Sequence, residues 1–530
     1  MDVTRTVSEQ YKVMLALAGV AAAMIWVWVP TRWRRPALAL LVLVSVVNYS
    51  RWGFDAWTRR IDAYDLMHYY VNAKYIDELG YLDLYPAMML VDAEHGGPFF
   101  PAARSYMAQD ESGHHYAPTQ HGVARGKVVR QERFTPERWA AFEHDVLTLQ
   151  RDYGCRDRDR KKRCIRELSD ELWLQLVTDH GFNGTPAWTL IAEPIANVVP
   201  VEALKALGYL DVALLAVGLG AVGWAYGGET GLFALLFVAV TYSARWPYVS
   251  WVFLRYDWVA ALLIATAALK RPGGRWGAAV AGAMAGWASV VRLFPAMWMW
   301  GPLWRGLWGL WERQLRRHLL VMAAAFFVAV GVLQGAATAR YGTDRVAEHF
   351  ENMLDHNSAE QLSSRRIGLA MALATEPWKG FEAELAISPE TRLLVDEQST
   401  VRYTLAAALA VALGLALRRR SDDEAFAWGF FPFFLITTAS YYYYVARITL
   451  VVVHAGNLHR PRHRVGLASL FGLEVLTTAI SVYAPEWDTA NPGKEHRMLL
   501  IGALAWGLLA YGLVQMVWMA VEREDAPAEG

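Results

Sequence analysis

The residues best suited to chemistry begin with the run Asp62-Ala-Tyr-Asp65-Leu-Met-His68-Tyr69-Tyr70-Val-Asn72-Ala-Lys74-Tyr75. A carboxylate close to aromatic and imidazole groups can take a proton from a hydroxyl, and Asp65 is the candidate for that role. Further along lie Asp179-His180-Gly-Phe-Asn183, Arg255-Tyr-Asp257-Trp258 and Arg292-Leu-Phe-Pro295. They are followed by His349, His356, Asn357, Arg365 and Arg366, and finally by Tyr441 to Tyr444 and Arg447. Arginine forks match phosphate oxygens in both charge and bidentate geometry. One carboxylate and several arginines around a cavity therefore suit a phosphate-bearing donor and a polar acceptor.

These residues need elements to hold them, and composition defines the elements. Apolar residues make up 55% of 530 positions and charged residues 19%, with 24 Trp and 24 Tyr. The apolar residues fall in long blocks. A bilayer core about 30 Å thick takes roughly 20 apolar residues in helical form, because lipid offers no partner to an open backbone group. The blocks predict an all-α polytopic integral membrane protein of about thirteen spans, near 13–29, 37–50, 206–225, 230–244, 249–269, 276–291, 294–311, 319–338, 400–417, 424–440, 443–457, 465–483 and 498–520. The stretch 276–311 reads as two short helices or one broken helix. The organisation that follows is two spans in 1–50, a large outer segment over 51–204, spans over 205–338, an outer loop over 339–399, spans over 400–520 and a cytoplasmic tail over 521–530. Within the outer segment, helices are expected over about 67–79, lying along the interface, and over 136–150 and 164–178 from apolar spacing. The segment's apolar content does not by itself predict an independent core.

Charge orients the chain. Arg32, Arg34 and Arg35, then Lys270, Arg271 and Arg275, then Arg313, Arg316 and Arg317 occupy alternate loops. Arg418, Arg419 and Arg420, and Arg460, Arg462 and Arg464, continue the series. The positive-inside rule puts these loops in the cytoplasm and the candidate residues on the opposite face. A net charge of zero, sorted by loop, gives no argument for nucleic acid as a partner. The expected setting is the inner (plasma) membrane, with the site facing the periplasm or exterior.

Each feature also has a plainer explanation. Arg255 and Asp257, two apart, are able to neutralise each other. Arg292 before Phe294-Pro295 is able to cap a broken helix, and Tyr69, Tyr70 and Tyr75 to form an interfacial aromatic belt. His95, His114, His115 and His121 read as loop surface. Cys155 and Cys164 lie on the outer side, where a short-loop disulfide is open to them. They lack the further ligands of a zinc site, and Asp157-Arg-Asp159 between them reads as a solvated turn.

The pattern Asp65-Leu-Met-His-Tyr-Tyr-Val-Asn-Ala-Lys, followed by Gly80 and Leu84-Tyr85, with Arg292-Leu-Phe-Pro295 and Arg366-Ile-Gly-Leu369 downstream, resembles the GT-C superfamily of membrane glycosyltransferases. Within it the chain looks like the polyprenyl-phosphate-mannose-dependent mannosyltransferase branch (glycosyltransferase family 87). The resemblance covers most of the membrane portion and fails over about 90–169. It implies transfer of a mannose-like sugar from a polyprenyl-phosphate donor to a glycan, lipid or protein acceptor on the outer face. Asp65 would be the base, and Arg292, Arg255 and Arg366 would hold the donor phosphate. His68, Tyr69, Lys74, His180, Asn183 and His356 would bind substrate. The lipid-linked sugar is a substrate, and no cofactor or divalent metal is expected. Two other classes remain: a lipid or polysaccharide transporter or flippase, and a non-catalytic envelope assembly subunit.

Overall fold

A computed structural model of the chain describes residues 5–52, 62–96, 104–110, 113–150, 176–179, 181–244, 252–271, 274–356, 362–491 and 493–522. These residues are almost entirely helical. Six helices are long and apolar enough to cross a membrane: Val7–Trp28, Lys205–Tyr226, Arg317–Leu354, Ser399–Arg419, Pro461–Trp487 and Arg497–Val521. Large apolar side chains point outward from them, among them Val217, Trp224, Phe327, Val332, Val401 and Val517. A bundle that turns this much apolar surface outward is built for lipid. The chain is an all-α membrane protein.

The other apolar blocks form shorter or interrupted helices, so the thirteen segments read from hydropathy are met by six helices of full spanning length among the described residues. The 276–311 stretch is two helices, Gly274–Val291 and Trp300–Trp311, joined by a tight turn at Phe294–Met299. The block at 249–269 is helical over Asp257–Lys270, 14 residues. At 1.5 Å per residue that is about 21 Å, less than the hydrocarbon core. The block at 424–440 divides into Asp422–Ala427 and Phe430–Ile436, and that at 443–457 is helical over Ile448–Ala455 after a 3-10 turn at Tyr441–Arg447. Irregular backbone at membrane depth is tolerated where protein covers it. The short helices are indeed interior, with every residue of Ile448–Ala455 buried.

Small residues bring the spans together. In Gly274–Val291, Gly282 and Gly286 face the Arg317–His356 helix, and a Cβ on Gly282 would lie 2.0 Å from the Met322 carbonyl oxygen. Only glycine allows that approach, the packing rule of small residues four apart in membrane helices.

The outer segment does have an apolar core, including Tyr70, Leu79, Met88, Leu90, Phe142, Val146 and Leu149, and this core continues onto Phe253, Val290, Val291 and Ala337. It therefore sits directly on the ends of the spans. The helix expected over 136–150 is found at Pro136–Thr148, with Thr135 accepting from the Arg138 N–H as its N-cap. The helix expected over 67–79 is a chain of short pieces: Ala63–Leu66, a π-turn at Met67–Val71, then Asn72–Lys74 and Ile76–Leu79. It does not lie along a surface. Leu66, Tyr70, Val71, Asn72 and Ala73 are wholly buried, because the outer segment covers one side and the spans the other. The segment 164–178, Cys155, Cys164 and Asp157 to Asp159 fall outside the described residues but for the stretch from Leu176. A hairpin at Ser105–Asp110 and Gly113–Pro118 had no signal in the apolar pattern. Three arginines of the described part of 90–169 are held by ion pairs: Arg125 and Arg133 to Asp83 (2.8 and 2.9 Å) and Arg138 to Glu78 (2.6 Å).

A second polar cluster lies at the end that carries the basic loops. Arg462 donates to Glu424 (2.7 Å), Glu522 (2.8 Å) and His463 Nε2 (2.8 Å). His463 Nδ1 meets His454 Nδ1 at 3.0 Å, and His454 Nε2 meets the Tyr511 hydroxyl at 2.6 Å. Arg420 also reaches Glu522 (2.7 Å).

Candidate functional site

The site forms where shortened helices leave irregular backbone beneath the outer segment. Asp65 begins it. Asp62 caps the Ala63–Leu66 turn by accepting from the Asp65 N–H (3.3 Å), and this turn aims the Asp65 carboxylate at Arg255. Arg255 Nη1 and Asp65 Oδ1 are in direct contact as a mostly buried ion pair. Arg255 therefore pairs with Asp65 and not with Asp257, whose carboxylate accepts from Trp287 Nε1 (3.2 Å).

Arg255 is held by backbone strain that its neighbours stabilise. The preceding residue, Leu254, has φ +47°, a left-handed conformation that costs a branched side chain of order 1–3 kcal/mol. Two groups fix it. Trp188 Nε1 donates to the Leu254 carbonyl (3.0 Å), and the Asp211 carboxylate accepts the N–H groups of both Arg255 and Tyr256 (2.9 Å each). Asp211 is fully buried in the Lys205–Tyr226 helix. Sequence reasoning passed over it, although a lone carboxylate inside an apolar span is itself a functional signal.

Tyr442 stacks under Arg255, 4.5 Å from guanidinium carbon to ring centre. The 3-10 turn that presents Tyr442 and Tyr443 is anchored by Arg447, which is fully buried and pairs with Glu474 at 2.8 Å. Tyr443 packs on Phe294 (4.9 Å between ring centres), one side of the Phe294–Met299 turn.

Arg292 lies two residues before that turn. Its guanidinium lies 5.7 Å from the Tyr69 ring centre and within electrostatic reach of Asp257, Tyr442 and Tyr443. It is 6% exposed, it donates to the Val291 carbonyl (3.3 Å), and its Nε has no hydrogen-bond partner among the described residues. It thus caps the Gly274–Val291 helix weakly and forms no ion pair among the described residues. The Tyr69 hydroxyl donates to Asn183 Oδ1 (2.6 Å), and Tyr64 donates to Asp179 (2.6 Å). His68 bridges Tyr64 and Tyr85, with Nδ1 3.0 Å from the Tyr64 carbonyl and Nε2 2.7 Å from the Tyr85 hydroxyl. Burial pushes the His68 imidazole below its ordinary value. The tyrosines of this run are buried and hydrogen-bonded, not an interfacial belt.

Arg366 enters on a two-residue strand, Arg366–Ile367, paired with Ala439–Ser440 just ahead of the tyrosine turn. Gly368 makes the pairing possible: at φ +151°, a Cβ there would sit 2.2 Å from the Thr437 carbonyl oxygen. Arg366 is buried, donates to the Thr438 carbonyl (3.3 Å), and lies within electrostatic reach of Tyr442, Tyr443 and Asp179.

The structure thus gathers Asp65, Arg255, Arg292, Arg366, Tyr69, His68 and Asn183 around one centre. Lys74 belongs elsewhere: it forms an ion pair with Asp145 (2.7 Å) beside Tyr70 and Tyr75, inside the outer segment. His180 and the side chain of His356 lie outside the described residues. Among the described residues no group of three or more His, Cys, Asp or Glu is arranged to hold a metal ion. Comparison with protein-family models, with curated proteins and with solved structures returned no match.

Proposed function

We propose that the chain is a membrane glycosyltransferase that moves a mannose-like sugar from a polyprenyl-phosphate donor to an acceptor hydroxyl, as the resemblance to the GT-C superfamily implies. One observation carries the reading: a buried arginine, Arg292, with no ion-pair partner among the described residues stands at the same centre as the Asp65–Arg255 pair. A buried guanidinium with no carboxylate in direct contact is costly, and an anion such as a lipid phosphate relieves the cost.

The pair also supplies a way to time the reaction. A guanidinium in contact with a carboxylate lowers its basicity. An arriving phosphate offers Arg255 a second anion beside Arg292 and Arg366. As the Arg255 fork turns to the phosphate, Asp65 is released to accept the acceptor's proton. The acceptor oxygen then attacks the anomeric carbon, and the bond to the phosphate oxygen breaks. The arginines stabilise the charge that grows on the leaving phosphate. Tyr442 keeps Arg255 in the plane where it can serve either anion.

The finer topology belongs to the same reading: about thirteen membrane crossings, basic loops in the cytoplasm, and the site on the outer face of the inner membrane. The test is transfer of label from a radiolabelled polyprenyl-phosphate sugar in purified membranes. Wild-type protein is expected to transfer label and Asp65→Asn to lose it while still binding donor. Absence of transfer with every donor tried would turn the reading towards a transporter or an assembly subunit.

A further inference from the structure

Two buried polar side chains on one helix, the first within electrostatic reach of Arg292, take no part in the scheme above. His349 is 1% exposed, and neither of its ring nitrogens has a hydrogen-bond partner among the described residues. One helical turn on, Asn352 is 2% exposed; its amide Nδ2 donates to the Phe182 carbonyl (3.3 Å), and its Oδ1 has no partner there. Burying a polar atom without a partner is costly, so three such atoms on one helix face require an explanation. His349 is within electrostatic reach of Arg292. Its ring packs on Tyr81 (5.4 Å), Tyr81 stacks on Phe182 (5.4 Å), and Phe182 precedes the Asn183 that holds Tyr69 against Arg292.

The chemistry of the open atoms narrows the ligand. A phosphate only accepts hydrogen bonds, so it satisfies Arg292 Nε but gives nothing to Asn352 Oδ1, which needs a donor. A neutral imidazole offers one donor and one acceptor. A hydroxyl both donates and accepts. A cationic donor, a ring with both functions within its electrostatic reach and an amide acceptor one helical turn on therefore match an anion that carries a polyhydroxylated group.

We propose that His349 and Asn352 form the subsite for the sugar hydroxyls of the donor, next to the phosphate on Arg292. This rests on the glycosyltransferase reading and deepens it: the two residues choose the sugar while the arginines hold the phosphate that every donor shares.

The experiment measures binding of two lipids to purified full-length protein: a polyprenyl-phosphate mannose and the same polyprenyl phosphate without sugar. Wild type is expected to bind both. His349→Ala and Asn352→Ala are expected to weaken the sugar-bearing lipid about 10-fold each, the worth of a buried hydrogen bond, and to leave the sugar-free lipid unchanged. Arg292→Ala should weaken both. His349→Gln, which keeps a donor and an acceptor, should recover part of the loss. Equal weakening of both lipids by the first two variants, or no change in either, overturns the subsite and leaves the glycosyltransferase reading standing. Failure of wild type to bind either lipid removes that reading and the subsite with it.

Discussion

At the scale of the residue, the site depends on carboxylates placed to hold arginines. Asp211 does this through the backbone: by accepting two N–H groups it keeps Leu254 left-handed and Arg255 turned to Asp65. Asp211→Ala leaves both N–H groups unpaired, and thermal unfolding should show a loss of about 1–3 kcal/mol for each. Donor turnover should fall further than stability, since the Arg255 fork loses its aim. His68 gives a pH dependence with a definite sign. Its imidazole is pushed down by burial, so the unfolded chain takes up a proton before the folded one. Stability from this group is complete above about pH 6.5, the unfolded value, and is lost as pH falls from there towards the lower folded value. The unfolding midpoint of His68→Gln should change less than that of wild type between about pH 7 and pH 5. An equal or steeper change in the variant would rule this out.

At the scale of the element, the sequence was legible where a pattern repeats and silent where a contact is made once. Helical spacing over Trp139, Phe142, Val146 and Leu149 marked a helix that the structure contains. The same reasoning over 67–79 missed the π-turn and the breaks, because burial on all sides removes the amphipathic signal. Apolar runs marked the membrane segments but not their lengths. The backbone just before Asp257–Lys270 is held by a single buried carboxylate on another helix, and one sequence without contacts cannot show that. Among residues of the candidate site, Asp65, Arg255, Arg292 and Arg366 stood out by chemical type. Asp211 did not, and Lys74, paired with Asp145, drew attention by adjacency alone. The Arg366–Ile367 strand gives an element-scale test. Gly368→Ala puts a Cβ against the Thr437 carbonyl oxygen in a backbone region that alanine resists, at a cost of about 1–3 kcal/mol. It should displace Arg366 and weaken binding of sugar-bearing and sugar-free lipid phosphate together.

At the scale of the whole molecule, two polar centres sit at opposite ends of the bundle. The one among the basic loops is tied by Glu522, which joins Arg420 and Arg462. Both arginine side chains are essentially unexposed, and removing one partner of a buried pair costs about 3–5 kcal/mol. Glu522→Ala should therefore lower the unfolding midpoint in detergent markedly. Retention of the wild-type midpoint would show that Glu424 alone suffices for Arg462.

The short interior helices have one more consequence. Ile448–Ala455 and most of Asp257–Lys270 are buried inside the bundle, while Arg317–Leu354 and the other long helices turn apolar side chains outward. Hydrophobic mismatch acts on the helices that meet acyl chains, by a fraction of a kcal/mol per Å. The helices that carry Arg255 and the tyrosine turn are screened from it. The bundle is in effect a thin polar interior inside a wall of ordinary thickness, and the depth of that interior is set by protein and not by lipid.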